Sequence, residues 1–215
     1  MPLIRPRLTE FHGLSVSQAS VDFAIPFLDE DLPLYVDPFL LWKSPSLQDQ
    51  SLHGAMLAAF NRLGALSKQG TGEQAVRMVQ QMSECEEVGL GGATSKNGRR
   101  IGAPVAQQIV DLFKTIPLYS AGFTHFEEIQ LFVDGISKDR VSDIACNLLK
   151  SFLIDYTIEQ CDKLKIPRTK TRLTSVYNHQ SHQLDAIDDI ELPIDPASGS
   201  PILRQGLVDL VAPFH

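Results

Sequence analysis

The stretch Gly135–Cys161, "GISKDRVSDIACNLLKSFLIDYTIEQC", decides the fold. Val141, Ala145, Leu148, Leu149, Phe152, Tyr156 and, further on, Leu164 recur three and four residues apart, the spacing of one apolar helix face. The spacing predicts a single long helix that starts after Gly135 and ends at Pro167. Asp139 or Ser142 suits its cap, and Asp143 suits a first turn, where the helix dipole favours negative charge. Arg140 gains nothing from that dipole and calls for an anionic partner. Two readings stay open for Asp139, Arg140 and Asp143: the ordinary start of a helix, or part of a site.

Working outward, Leu52, Ala55, Met56, Ala59, Phe60 and Leu63 mark a helix from Ser51. Ala75, Val76, Val79 and Met82 mark a second, running into "SECEEVGLGG". Val105, Ile109, Leu112 and Phe113 mark a third. Thr124 and Glu127 have capping-box spacing and open a fourth, which Gly135 stops. Toward the start, "VDFAI" (21–25) and "LPLYV" (32–36) read as strands, with Pro26, Pro33 and Pro38 forbidding a long helix. Residues 168–189 are polar and read as a loop; "IELPIDPASGSPIL" (190–203) reads as two short strands around a turn. The whole is an α+β fold, predominantly α-helical, with about five helices and short strands near both ends. Residues 1–20 read as an arm and 21–215 as one globular domain.

The chain has 215 residues, 43% of them hydrophobic, and a formal charge of -7. That acidity excludes a generic nucleic-acid coat, which is basic over much of its surface. Cys85, Cys146 and Cys161 lack disulfide or zinc-knuckle spacing and read as buried apolar residues. No apolar run spans a bilayer and the start carries no signal-peptide core, so a cytoplasmic location without a membrane partner is expected. His179 and His182 have no further ligand pattern around them, and no nucleophile-elbow motif is present.

Basic charge is concentrated in "GLGGATSKNGRRIGAP" (89–104), where glycines permit close backbone approach and Lys96, Arg99 and Arg100 neutralise phosphate. The spacing is neither a Walker motif nor a dinucleotide fingerprint, so a solvated connection stays the alternative to a phosphate or nucleic-acid contact. Glu84 and Glu87, three apart, share a face if the second helix reaches them, and clustered carboxylates can hold magnesium. A solvated helix end is the other reading of these acids.

The ordered set "VDPFLL", "MSECEEVGLG", the glycine-rich loop, "FEEIQLFVDGISKDRVSDIACNLLK" and "ELPIDPASGSPIL" resembles an uncharacterised family of bacterial proteins from variable, defence-type or mobile-element regions of genomes. The resemblance covers roughly residues 21–203. It implies a glutamate pair before "LG", a "GIG-D-(K/R)-ISD-T-N" segment and a late strand ending in "LLVPK". Here that strand reads "ILRQGLVDLVAPFH", so a C-terminal truncation and loss of a phosphate-polarising lysine are expected, with Arg204 a poor substitute. The parts that remain suggest a magnesium-dependent phosphodiesterase or nuclease-like domain, incomplete or inactive in this chain. Glu84, Glu87 and Asp143 would be metal ligands; Asp143, Arg140 and Glu87 catalytic; Lys96, Arg99 and Arg100 phosphate-binding. The competing class is a non-catalytic subunit of a larger assembly, with a protein partner or a second copy of itself.

Overall fold

A computed structural model describes residues 7–28, 30–91, 100–196, 198–204 and 210–211. Its helices are α1 (Leu8–Phe11), α2 (Pro38–Lys43), α3 (Leu47–Lys68), α4 (Gly72–Gln81), α5 (Ala103–Thr115), α6 (Lys138–Leu148) and α7 (Lys150–Leu164). Short 3₁₀ turns lie between them. The strands are β1 (Tyr35–Val36), β2 (Thr169–Asn178), β3 (Gln183–Leu192) and β4 (Leu210–Val211), paired antiparallel as β1–β4 and β2–β3. The α+β, mainly helical reading holds. None of the described helices is long and apolar enough to cross a membrane.

α3, α4 and α5 pack on one another and share the core with α6 and α7. Ser46 caps α3 by accepting the Asp49 N–H at 3.4 Å, so the helix begins before Ser51. α4 ends at Gln81, which removes Glu84 and Glu87 from any shared helix face. α3 and α5 meet so closely that a Cβ on Gly64 would lie 2.4 Å from the Phe113 ring. Phe60 stacks on Phe126 with centroids 4.7 Å apart, and Tyr119 on Phe123 at 3.9 Å. Such pairs add about 0.5–1.5 kcal/mol each beyond area burial.

Four elements differ from the sequence-based expectation. The expected fourth helix is a 3₁₀ segment, Phe126–Leu131, entered through His125 without a side-chain cap from it. Phe126 and Ile129, both fully buried, sit three apart, which matches the 3₁₀ repeat. Just before it, Asn61 receives the Phe123 N–H at 2.7 Å and donates to the Phe123 carbonyl at 2.8 Å, fixing the approach. The expected long helix is broken at Leu149 (φ -96°, ψ 4°) into α6 and α7. No proline or glycine causes this; Ile144 through Lys150 are all buried, so the chain runs through the core there.

Residues 168–189 are largely strand, not loop. β2 and β3 pair from Thr169↔Leu192 to Asn178↔Gln183. Only Leu173, Val176, Tyr177 and Leu192 of the pair are buried, which is why the segment reads as polar. The register shifts on both sides of Leu173, and Ser175 takes φ +56° beside the second shift. Lastly, residues 21–25 form no ladder. Phe23, Ala24 and Ile25 are buried in succession, and the Gln18 amide serves their backbone, donating to the Phe23 carbonyl (2.7 Å) and accepting from the Ile25 N–H (3.0 Å).

At the ends of the chain, Leu8 of α1 is buried against Leu28 and Ile202. Of the expected strands in 190–203, residues 190–192 belong to β3 and the rest holds one bridge, Ile194↔Pro201, around a turn in which Asp195 N–H donates to the Ser200 carbonyl.

Gly64→Ala is expected to destabilise the protein by about 1–3 kcal/mol, the usual range for overpacking, in chemical denaturation. An unchanged midpoint would show that the α3–α5 contact is looser than described.

Candidate functional site

Between α4 and α5 the chain leaves helical structure and presents three acids, Glu84, Glu86 and Glu87, the last two in a 3₁₀ turn Glu86–Val88. α6 holds this segment in place. The Arg140 guanidinium donates to the Ser83 carbonyl at 3.2 Å. The Asp143 carboxylate accepts the Cys85 N–H at 3.3 Å. The Asn147 amide donates to the carbonyls of Met82 (2.9 Å), Glu84 (2.8 Å) and Asp143 (3.1 Å). Residues 140, 143 and 147 follow one helix face, and all three serve the backbone of residues 82–85 rather than an open site. Arg140 finds its anionic partner in Asp143, 3.7 Å away.

Burial, with Asp139 adding like charge, pushes the Asp143 carboxyl up to about 8, against the opposing pull of Arg140 and the Cys85 N–H. Asp139 itself reaches the glycine-rich loop: a Cβ on Gly91 (φ +140°) would lie 2.7 Å from its Oδ1.

Glu87 is held from below. Lys150, 1% exposed at its side chain, places Nζ 3.2 Å from both Glu87 carboxylate oxygens and donates to the Thr174 carbonyl at 3.1 Å. Burial alone lowers this ammonium. The neighbouring Cys85 and Glu87 outweigh it, and the group lies above the ordinary lysine range. The Cys85 thiol is fully buried beside Cys146 and is raised well above its usual value. All three cysteines are free and buried.

Glu84 is nearly buried. Its Oε2 lies 3.4 Å from the Arg100 Nε, while its Oε1 is sealed from solvent with no hydrogen-bond partner. Glu86 is the accessible acid. Burial and the nearby Glu84 and Glu87 raise its carboxyl, opposed by Arg100. These acids form one wall of a cavity of about 160 Å³ that Arg100, Lys150, Arg172 and Thr174 also line.

The structure does not bring the predicted ligand set Glu84, Glu87 and Asp143 together as one group. Among the described residues, no group of three or more His, Cys, Asp or Glu side chains is arranged to hold a metal ion. Asp143 is committed to Cys85 and Arg140, and Glu87 to Lys150. Arg140, predicted as catalytic, positions the acidic segment instead. Of the predicted phosphate-binding residues, Arg100 lies on the cavity; Lys96 and Arg99 fall outside the described residues.

Lys150 was missed by sequence reasoning. Its signal was its place in the stripe Cys146, Lys150, Leu153, Thr157, each at most 2% exposed, where a charge is out of pattern. Arg172 was hidden by the misread hairpin. Arg204 is 6% exposed and belongs to this region too, because the Leu203 N–H donates to the Glu87 carbonyl at 2.7 Å.

The fold and the cavity define a helix-rich α+β domain that carries a carboxylate wall over a buried lysine. Residues 13–204 match the family model described as a domain of unknown function, DUF8370. The chain belongs to that family. No curated protein and no solved structure matches it.

A raised folded-state carboxyl binds its proton in the fold more tightly than in the unfolded chain, so it stabilises at low pH and that stability is lost as pH rises. Between about pH 4 and 8 the Asp143 contribution should decline. Asp143→Asn keeps an acceptor for Cys85 and should flatten the dependence of unfolding free energy on pH by more than about 1 kcal/mol over that window, one pKa unit being about 1.4 kcal/mol. Parallel pH profiles of the two proteins would refute the assignment.

Proposed function

We propose that this domain is a phosphoester-processing, nuclease-like module whose working surface is the cavity walled by Glu84 and Glu86. The observation that carries it is the carboxylate pair: Glu84 has a buried oxygen with no donor, and Glu86 opens on the same cavity. Two carboxylates with substrate phosphate are a sufficient donor set for magnesium, which keeps part of its water shell and seldom needs an all-protein cage. Glu84 and Glu86 would hold it, and bound magnesium supplies an activated water and a polarised phosphoryl oxygen.

The chain's own residues supply the rest. Arg100 and Arg172 line the same cavity and offer guanidinium forks to phosphate oxygens. Lys150 holds Glu87 in place through their ion pair, so the wall does not collapse. Glu86, its carboxyl raised by burial, opens on the cavity and is placed to give or take a proton there. These cations, and not a C-terminal lysine, are the ones this reading relies on.

Incubating DNA and RNA oligonucleotides with the protein and magnesium tests it. Cleavage should require magnesium, and Glu86→Gln should lower it by about a hundredfold with the melting temperature unchanged. Because the proton on Glu86 competes with the cation, magnesium affinity should rise with pH. Full cleavage by a Glu84→Gln/Glu86→Gln double variant would remove the proposal.

A second reading, a subunit of an assembly, is favoured by exposed apolar residues. Phe39 and Trp42 are 41% and 44% exposed; their centroids lie 5.3 Å apart, and His125 meets Trp42 edge-on at 4.9 Å. Leu131 and Phe132 add 74% and 48% exposed apolar surface. On this reading native mass spectrometry shows an oligomer that Trp42→Arg dissociates; a monomer at micromolar concentration counts against self-association.

A further inference from the structure

A second chamber of about 230 Å³ lies behind the Glu86–Glu87 wall and shares Glu86, Glu87 and Ser200 with the first cavity. It is the more enclosed of the two. Arg204 lines it, together with Phe27, Gly89 and Asp195. We propose that this chamber is a binding site for a terminal phosphate monoester, with Arg204 as its anchor; the inference rests on the phosphoester reading above and assigns the part of the substrate that enters first.

Arg204 is a built feature, not a trailing side chain. Its backbone N–H donates to the Thr157 hydroxyl at 2.8 Å, and the preceding Leu203 N–H donates to the Glu87 carbonyl at 2.7 Å. The residue is 6% exposed. Asp31 lies beside the guanidinium, yet Nε is sealed from solvent with no acceptor. A buried donor left unmade costs about 1–3 kcal/mol, more on a charged group, so an acceptor entering the chamber recovers what the empty site lacks. A guanidinium takes phosphate through two parallel N–H bonds, and this is the group best matched to it.

Asp195, the buried acid of the chamber, accepts the Ser198 hydroxyl at 3.0 Å, and Asp31 stands beside the Arg204 guanidinium. Glu87 is neutralised by Lys150. Glu86 stands on the wall shared with the first cavity. Magnesium on Glu84 and Glu86 would add attraction instead, so cation and phosphate should strengthen each other. The enclosure selects a terminal group: a monoester needs one mouth, whereas an internal diester needs the strand to continue on both sides.

Calorimetric titration of the full chain with the 5′-phosphorylated dinucleotide pTpT and with TpT tests this. We expect pTpT to bind at least tenfold more tightly, magnesium to widen the difference, and Arg204→Lys to abolish it. Because an altered buried arginine can unfold the chain, Ser200→Tyr, which fills the chamber from its mouth, should abolish the preference independently. Inorganic phosphate binding as tightly as pTpT supports the anion site with free phosphate as its source. Equal affinity for pTpT and TpT, or an intact preference in folded Arg204→Lys, overturns the proposal. Cleavage assays separate the two readings: phosphate preference without cleavage leaves the chamber standing and removes the reaction, and cleavage without preference does the reverse.

Discussion

The ion pair between Lys150 and Glu87 organises the architecture. Desolvating two charges costs several kcal/mol each, repaid only by good geometry, so such a pair tolerates little displacement of either partner. Lys150 stands at the first turn of α7, Glu87 in the 3₁₀ turn after α4, and the Thr174 carbonyl that completes the ammonium's coordination is on β2. The Glu87 carbonyl then receives the stretch 198–204 through the Leu203 N–H. Four distant parts of the chain thus converge on one charge. The carboxylate wall stays in place because moving it would leave an uncompensated ion in the core.

α6 contributes a second, neutral constraint on the same segment. Asn147 directs one amide nitrogen at three carbonyls, and Asp143 and Arg140 take the neighbouring backbone groups. Residues 82–85 are neither helix nor strand, so several of their backbone groups are served by side chains. This accounts for the polar residues at the start of α6, and it accounts for Arg140, which capping alone leaves without a reason. The acids that face the cavity are different ones, Glu84 and Glu86.

The legible parts of the sequence were those with one buried face. α3 and α5 followed from their period, and the apolar run "LPLYV" contains the strand at Tyr35–Val36. Misreadings came where burial was either too complete or too sparse. Ile144–Lys150 is buried all round, so the periodic signal continued through a break that only the three-dimensional path reveals. The β2–β3 hairpin buries so few side chains that its polar composition imitated a loop. The Thr124–Glu127 spacing fitted a capping box, but Asn61, far away in sequence, set the backbone just before it. For the site, the residue types were visible and their grouping was not: Lys150, Arg172 and Arg204 arrive from elements that sequence separation hides.

The buried thiols have a use beyond packing. Cys85 and Cys146 are free, lie side by side and sit against the Lys150–Glu87 pair, with no route for a reagent while the core is shut. The rate at which a small thiol reagent modifies them therefore clocks how often this part of the molecule opens. Compared with the rate for Cys161, which is buried elsewhere along α7, it separates breathing of the carboxylate wall from unfolding of the whole chain.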